Sequence, residues 1–194
     1  MQAGNDLGMV EYSQSYDQEN LDSFFSNCAS FIPNGTHPSL KLMDGAIGPS
    51  YPGADNVETM LDLDVAYPLV YPAGIAMFQT NASENSILDA LDNIYCDKKY
   101  QCGLYQPTNV ISVSWESGES RSALQTRMCN EYMKLGMQGV SVVVASGDGG
   151  IAAKNGSCNL DGSFFVAFPS SCPYVTSVGA TMVLPHLKPP NVQR

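Results

Sequence analysis

Two acids in Glu58-Thr-Met-Leu-Asp62 stand four residues apart, so both carboxylates share one face of any helix that spans them. Carboxyl groups held close together resist ionising at the same time. One of them keeps its proton to a higher pH, and such a pair can take up and relay a proton in acid. The plainer alternative is two solvated acids on a helix surface. A third acid, Asp148, lies in Ser146-Gly147-Asp148-Gly149-Gly150, directly after the most β-like run, Val140 to Ala145. Sites in parallel sheets gather where strands end at their carboxyl side, which makes Asp148 a candidate site residue. Its alternative is the cap of a glycine-rich turn. A nucleotide cradle is excluded there, because the segment has neither GxGxxG spacing nor the lysine of a P-loop.

The elements that must position these acids alternate along the chain. Leu7 to Tyr12, Ser39 to Met43, Gly74 to Gln79, Val110 to Trp115, Val140 to Ala145 and Tyr174 to Gly179 read as strands. Between them, Gln18 to Phe25, Asn56 to Tyr67, Ser83 to Tyr95 and Arg121 to Leu135 carry apolar residues at helical spacing. Pro68 is expected to stop the second helix and Gly136 to close the fourth. Strands alternating with helices imply crossover units and a mostly parallel sheet flanked by helices, an α/β fold. The whole of 1–194 reads as one domain, or most of one.

Composition narrows the function. Charged residues make up 14% and hydrophobic residues 44%, so the chain has the means to bury a core. A net charge of −10 with nine basic residues argues against nucleic acid or an anionic membrane as partner. No apolar run is long enough to span a bilayer. The six cysteines lack zinc-ligand spacing. Together with the sequons at Asn34, Asn81 and Asn155, they point to the secretory pathway. The opening Met1-Gln-Ala-Gly-Asn5 has no basic start and no apolar run, so it is no signal peptide, and an N-terminal segment of the natural protein is expected upstream of it. Cys158 and Cys172 are expected to pair across the loop before the last strand. Cys96 and Cys102 are expected to close a short excursion, which leaves Cys28 and Cys129 for each other or for cysteines outside this chain.

In their order, Leu21-Asp-Ser-Phe-Phe25, Asn34-Gly-Thr-His-Pro38, Glu58 to Asp62, Cys129 to Gly136, Ser146-Gly147-Asp148 and Phe168 to Thr181 carry a resemblance. From about Leu7 to Pro185 the chain resembles the sedolisin family of serine-carboxyl peptidases, in particular its fungal tripeptidyl-peptidase and aorsin-like members. The resemblance implies a subtilisin-like sheet, truncated at its C-terminal side, and a peptidase that acts in acid through a Ser-Glu-Asp triad. Carried over by position, Glu58 is the general base, Asp62 orients it, and Asp148 helps bind the oxyanion. For that role Asp148 must be protonated, and burial at the strand end is expected to raise its pKa. The resemblance further implies peptide or protein substrates, a monomer, and an extracellular, vacuolar or lysosomal location. It also implies calcium in the complete domain, at a site beyond Arg194.

Two departures accompany the match. The family's nucleophile sits in a downstream Gly-Thr-Ser motif that this chain does not contain, and Ser146, Ser170 and Ser171 do not fit it. Glu116 follows Ser114-Trp115 where the family usually has glycine, in the strand that lines the substrate. A conventional Ser-His-Asp peptidase has only His37 and His186 to draw on, and Pro38 does not continue a catalytic helix after His37. In another class altogether, the chain is a non-catalytic remnant that folds and binds but cleaves nothing.

Overall fold

The apolar runs become strands β1 (Leu7–Tyr12), β2 (Ser39–Met43), β3 (Ile75–Thr80), β4 (Val110–Val113), β6 (Ser141–Ala145) and β8 (Thr176–Val178) in a computed structural model. Residues 5–50, 54–81, 84–91, 103–120, 122–150 and 164–181 are described. The six strands form one sheet in the order β2-β3-β1-β4-β6-β8. Every neighbouring pair is parallel. β1 lies inside, with Leu7 opposite Ile75 on one side and Val110 on the other. A short antiparallel pair, β5 (Ser117–Gly118) with β7 (Ala167–Phe168), stands apart from that sheet. Neither of its two-residue strands is long enough to leave a periodic signal in the sequence.

Side chains alternate across a strand, so each parallel strand feeds two cores. On one face Met9, Ile75 and Met77 pack with Leu21 and Phe25 of α1 (Gln18–Cys28) and with Met60, Leu63 and Tyr67 of α2 (Val57–Val70). On the other, Val10, Phe78, Ile111 and Val144 meet Ile87 and Leu91 of α3 (Glu84–Leu91) and Met128, Tyr132 and Leu135 of α4 (Ala123–Met137). All six residues of β3 are buried, as expected of a strand covered on both faces. Burial of each large aliphatic or aromatic side chain stabilises the fold by about 1.5–3 kcal/mol.

The helix limits follow local chemistry. Asp17 caps α1 by accepting hydrogen bonds from the Glu19 and Asn20 amides, and Ser122 caps α4 through the Gln125 amide. Pro68 does not stop α2, which runs on to Val70. In the last turn a proline forfeits only its own amide bond to the carbonyl four residues back, and the Tyr71 amide still closes on the Tyr67 carbonyl at 3.0 Å. Gly136 likewise stays inside α4, and the chain turns instead at Gly139, whose φ is +87°.

The expected disulfide between Cys158 and Cys172 is corrected by the structure, in which Cys172 bonds to Cys129. Proximity in sequence favours the short loop. Docking of α4 on the sheet nevertheless brings Cys129 beside the segment that follows β7. Chain entropy alone assigns a link of this loop length about 4 kcal/mol of stabilisation. Cys96, Cys102 and Cys158 lie outside the described residues, and Cys28 is an exposed free thiol.

Candidate active site

Because all strands of the sheet run parallel, their carboxyl ends share one edge, and an open cleft of about 800 Å³ lies there. Three pieces of chain build it. The first turns of α2 supply Glu58 and Leu61, the segment after β4 supplies Ser114 to Gly118, and the segment after β6 supplies Gly147 and Asp148. Phe165 adds to the apolar lining. Glu58 thus lines the cleft from α2, and Asp148 faces the same space from the end of a strand.

Asp62, one turn along α2, is half-buried and hydrogen-bonded to the Ser114 side chain. Loss of water around it raises its pKa, and the Ser114 hydrogen bond works in the opposite direction. Behind Asp62 lies a carboxyl group that the sequence reading missed. Glu11 of β1 points to the same face as Met9, beneath α2, and only 3% of it is exposed. Its Oε2 accepts a hydrogen bond from the Thr59 hydroxyl at 2.9 Å. Burial, then the neighbouring Asp62, and more weakly Glu58, push Glu11 up to about 8 against the pull of Thr59. In acid Glu11 is therefore neutral, and the group runs from a buried protonated carboxyl through Asp62 to Glu58 at the cleft. One signal for Glu11 was present in the sequence: a lone acid inside the apolar run Leu7 to Tyr12.

Asp148 departs from expectation in one respect. It is exposed at the strand end, where burial was anticipated. Its amide makes a long hydrogen bond, 3.5 Å, to Glu116 Oε1. Trp115, beside Glu116, packs its ring against Tyr12 at 5.4 Å between centroids. For His37 the histidine alternative finds no geometry. His37 stacks on Tyr16 and contacts the Pro38 carbonyl, is absent from the cleft lining, and His186 lies outside the described residues. Ser170 bonds the Ala145 carbonyl and Ser177, and no serine other than Ser114 and Ser117 lines the cleft among the described residues. No cluster of His, Cys, Asp and Glu among the described residues is arranged to hold a metal ion.

The parallel α/β sheet is a fold shared with Pseudomonas sedolisin, a serine-carboxyl proteinase. That structure superimposes with a TM-score of 0.53 at 15% identity, over 90% of this chain and 47% of that one. Aorsin of Aspergillus oryzae is 40% identical over 93% of this chain, and a tripeptidyl-peptidase of Aspergillus fumigatus is 39% identical over 92%. The chain spans about a third of the length of these curated relatives, 34% of each. No family model matches it. The chain belongs to the sedolisin family, among members similar to the fungal tripeptidyl-peptidases and aorsin.

Proposed function

We propose that this chain supplies the acid–base half of an acid-acting serine peptidase, with the nucleophilic serine contributed by sequence outside it. The observation that carries this reading is the line of carboxyl groups Glu11, Asp62 and Glu58, which ends in a cleft that Asp148 also faces. In the reaction the serine oxygen attacks the peptide carbonyl carbon while its proton passes to the Glu58 carboxylate. Asp62 keeps Glu58 in line, and Asp148, in its protonated form, donates a hydrogen bond to the oxyanion. Glu58 then gives the proton to the departing amine, the C–N bond breaks, and water releases the acyl group by the same relay run again. Neutral Glu11 behind Asp62 favours a single negative charge across the group, and that favours function in acid.

Peptides and proteins are the substrates this reading assigns. Calcium in the complete domain, at a site outside this chain, is part of the same reading, and no step above passes through it. An extracellular or secretory location, vacuole and lysosome included, fits the Cys129–Cys172 disulfide and the exposed sequons at Asn34 and Asn81. Among the described residues no helix is long and apolar enough to cross a membrane.

The test joins this chain to a serine-bearing segment, either from its own gene or from a relative. The 194-residue chain alone should turn over no peptide, and the joined protein should cleave peptides in acid. Glu58→Gln in the joined protein should lower kcat by about 10³-fold or more with KM little changed. Equal turnover by the wild type and Glu58→Gln would reduce the chain to a non-catalytic remnant of the family.

A further inference from the structure

The peptidase reading gives the Cys129–Cys172 link no part in the chemistry. That link borders a second cavity, of about 230 Å³, between α4 and the segment that follows β7. Both cysteines line it, together with Thr126 and Asn130 of α4, Phe168 of β7 and Ser171. Thr126 and Asn130 are exposed, so the cavity meets solvent beside them. Attack of a thiol on a disulfide depends on access to one of its sulfurs, and this cavity provides access in the folded chain. The two cysteines are not equivalent. Only 5% of Cys172 is exposed, whereas Cys129 is half-buried. Cys172 is also placed to become a thiol, because the Cys129 carbonyl oxygen lies 3.8 Å from its sulfur and can accept from an S–H there. The link holds a wall of the cleft. Cys172 shortly follows β7, which pairs with β5 through Phe168 opposite Ser117 and Ala167 opposite Gly118. Ser117 and Gly118 line the cleft, so Cys129 anchors that ribbon to α4.

We propose that Cys129 is a site of mixed-disulfide formation with small thiols, through which the β5–β7 wall of the cleft is released from α4. In the first step a thiolate sulfur bonds to Cys129 Sγ. The Cys129–Cys172 bond breaks, and Cys172 departs as a thiolate that takes up a proton. A second thiolate then attacks the sulfur of the first, which frees a small disulfide and leaves Cys129 reduced. Two small thiols are oxidised to one disulfide as the protein link is reduced to two thiols, so electrons and protons balance. The cavity sets the class of thiol. At about 230 Å³ it is smaller than the roughly 300–1,000 Å³ of ordinary ligand pockets, which suits a thiol of low molecular weight. The inference stands whether or not the peptidase reading does.

The purified 194-residue chain is incubated at pH 7 with 2-mercaptoethanol over a series of low urea concentrations. Samples are quenched in acid, alkylated and mapped by mass spectrometry. The rate should be proportional to the thiol and change by less than about twofold with urea below the unfolding transition. The first product should carry the small thiol on Cys129 and the alkyl group on Cys172, in about tenfold excess over the reverse. Asn130→Trp puts a large ring at the cavity and should slow the reaction about tenfold with the urea midpoint unchanged. Trp115, the sole tryptophan, lies two residues before β5 and lines the cleft. Its emission should shift as the link opens, and Cys129→Ser made with Cys172→Ser should show the shifted emission from the start. A rate that climbs with urea as steeply as unfolding itself overturns the proposal, because the link is then reached only in the unfolded chain. First attack at Cys172, or Trp115 emission that stays constant while the link opens, overturns it too. If Asn130→Trp does not fold, the urea dependence and the mapped site in the wild type decide the matter.

Discussion

The two sides of the cleft are built on different principles. On the β1–α2 side, Glu11, Thr59 and Asp62 are packed between a sheet and a helix, and burial raises the pKa of the two carboxyl groups. On the other side, Glu116 and Asp148 sit on segments that leave β4 and β6, and Asp148 is open to solvent. The first side acquires its chemistry from the core and is organised once the helix docks. The second depends on what holds its loops, which here are the β5–β7 pair and the Cys129–Cys172 link. A site divided in this way keeps its proton machinery rigid while its substrate-facing wall can vary in sequence.

That division can be broken most sharply at Glu11. Its carboxyl moves from an ordinary 4.5 to about 8 on folding, so the folded state holds a proton that the unfolded chain releases between those values. Stability contributed this way is fully present below pH 4.5 and is lost as pH rises through 8, by on the order of 4 kcal/mol. Urea unfolding at pH 4.5 and pH 8 should show that decline in the wild type. Glu11→Gln, which stays neutral, should flatten it. A decline of equal size in the variant would move its origin elsewhere.

On the loop side the largest effect is expected at the disulfide. Cys129→Ser, made together with Cys172→Ser, should cost about 4 kcal/mol in urea unfolding, with the midpoint lowered at every pH. The contrast with Glu11→Gln is the informative part, since one change depends on pH and the other does not. A loss confined to one end of the pH range would mean that the link also shapes the carboxyl side.

The smallest of the three effects concerns Asp148 in the joined, serine-bearing protein. Asp148→Asn keeps a neutral donor but changes its geometry, and kcat/KM should fall about 10²-fold. Asparagine needs no proton to donate, so the activity that remains should extend to higher pH than in the wild type. If both kcat/KM profiles turn down at the same upper pH, that limb belongs to another group, and Glu11 on the buried side is the one to examine.

The legible part of the molecule was the part governed by periodicity. Strands β1 to β4, β6 and β8 and helices α1 to α4 stood in the apolar spacing, and the i, i+4 relation of Glu58 and Asp62 placed both acids on one helix. What escaped were features that depend on which elements touch. Glu11 counted as one acid in a strand until α2 covered it. Cys172 has two nearby candidates along the sequence, and only the docking of α4 selects Cys129. The burial expected of Asp148 failed for a related reason, because a strand end predicts a loop but not what lies over it.

The place of β1 in the sheet bears on how the chain leaves the ribosome. The earliest of these six strands is an inner one, and neither of its partners is adjacent in sequence: Leu7–Tyr12 must wait for Ile75–Thr80 and then for Val110–Val113. Through that interval the apolar segment that holds Glu11 is without these two partners. Synthesis at about 5–20 residues per second makes the wait several seconds, during which unpaired strand edges are open to association. The carboxyl that becomes neutral under α2 is still ionised then, in the middle of the segment's partnerless period. A charge that the finished core suppresses thus serves the nascent chain as a guard against aggregation, in the way that gatekeeper residues protect exposed strands.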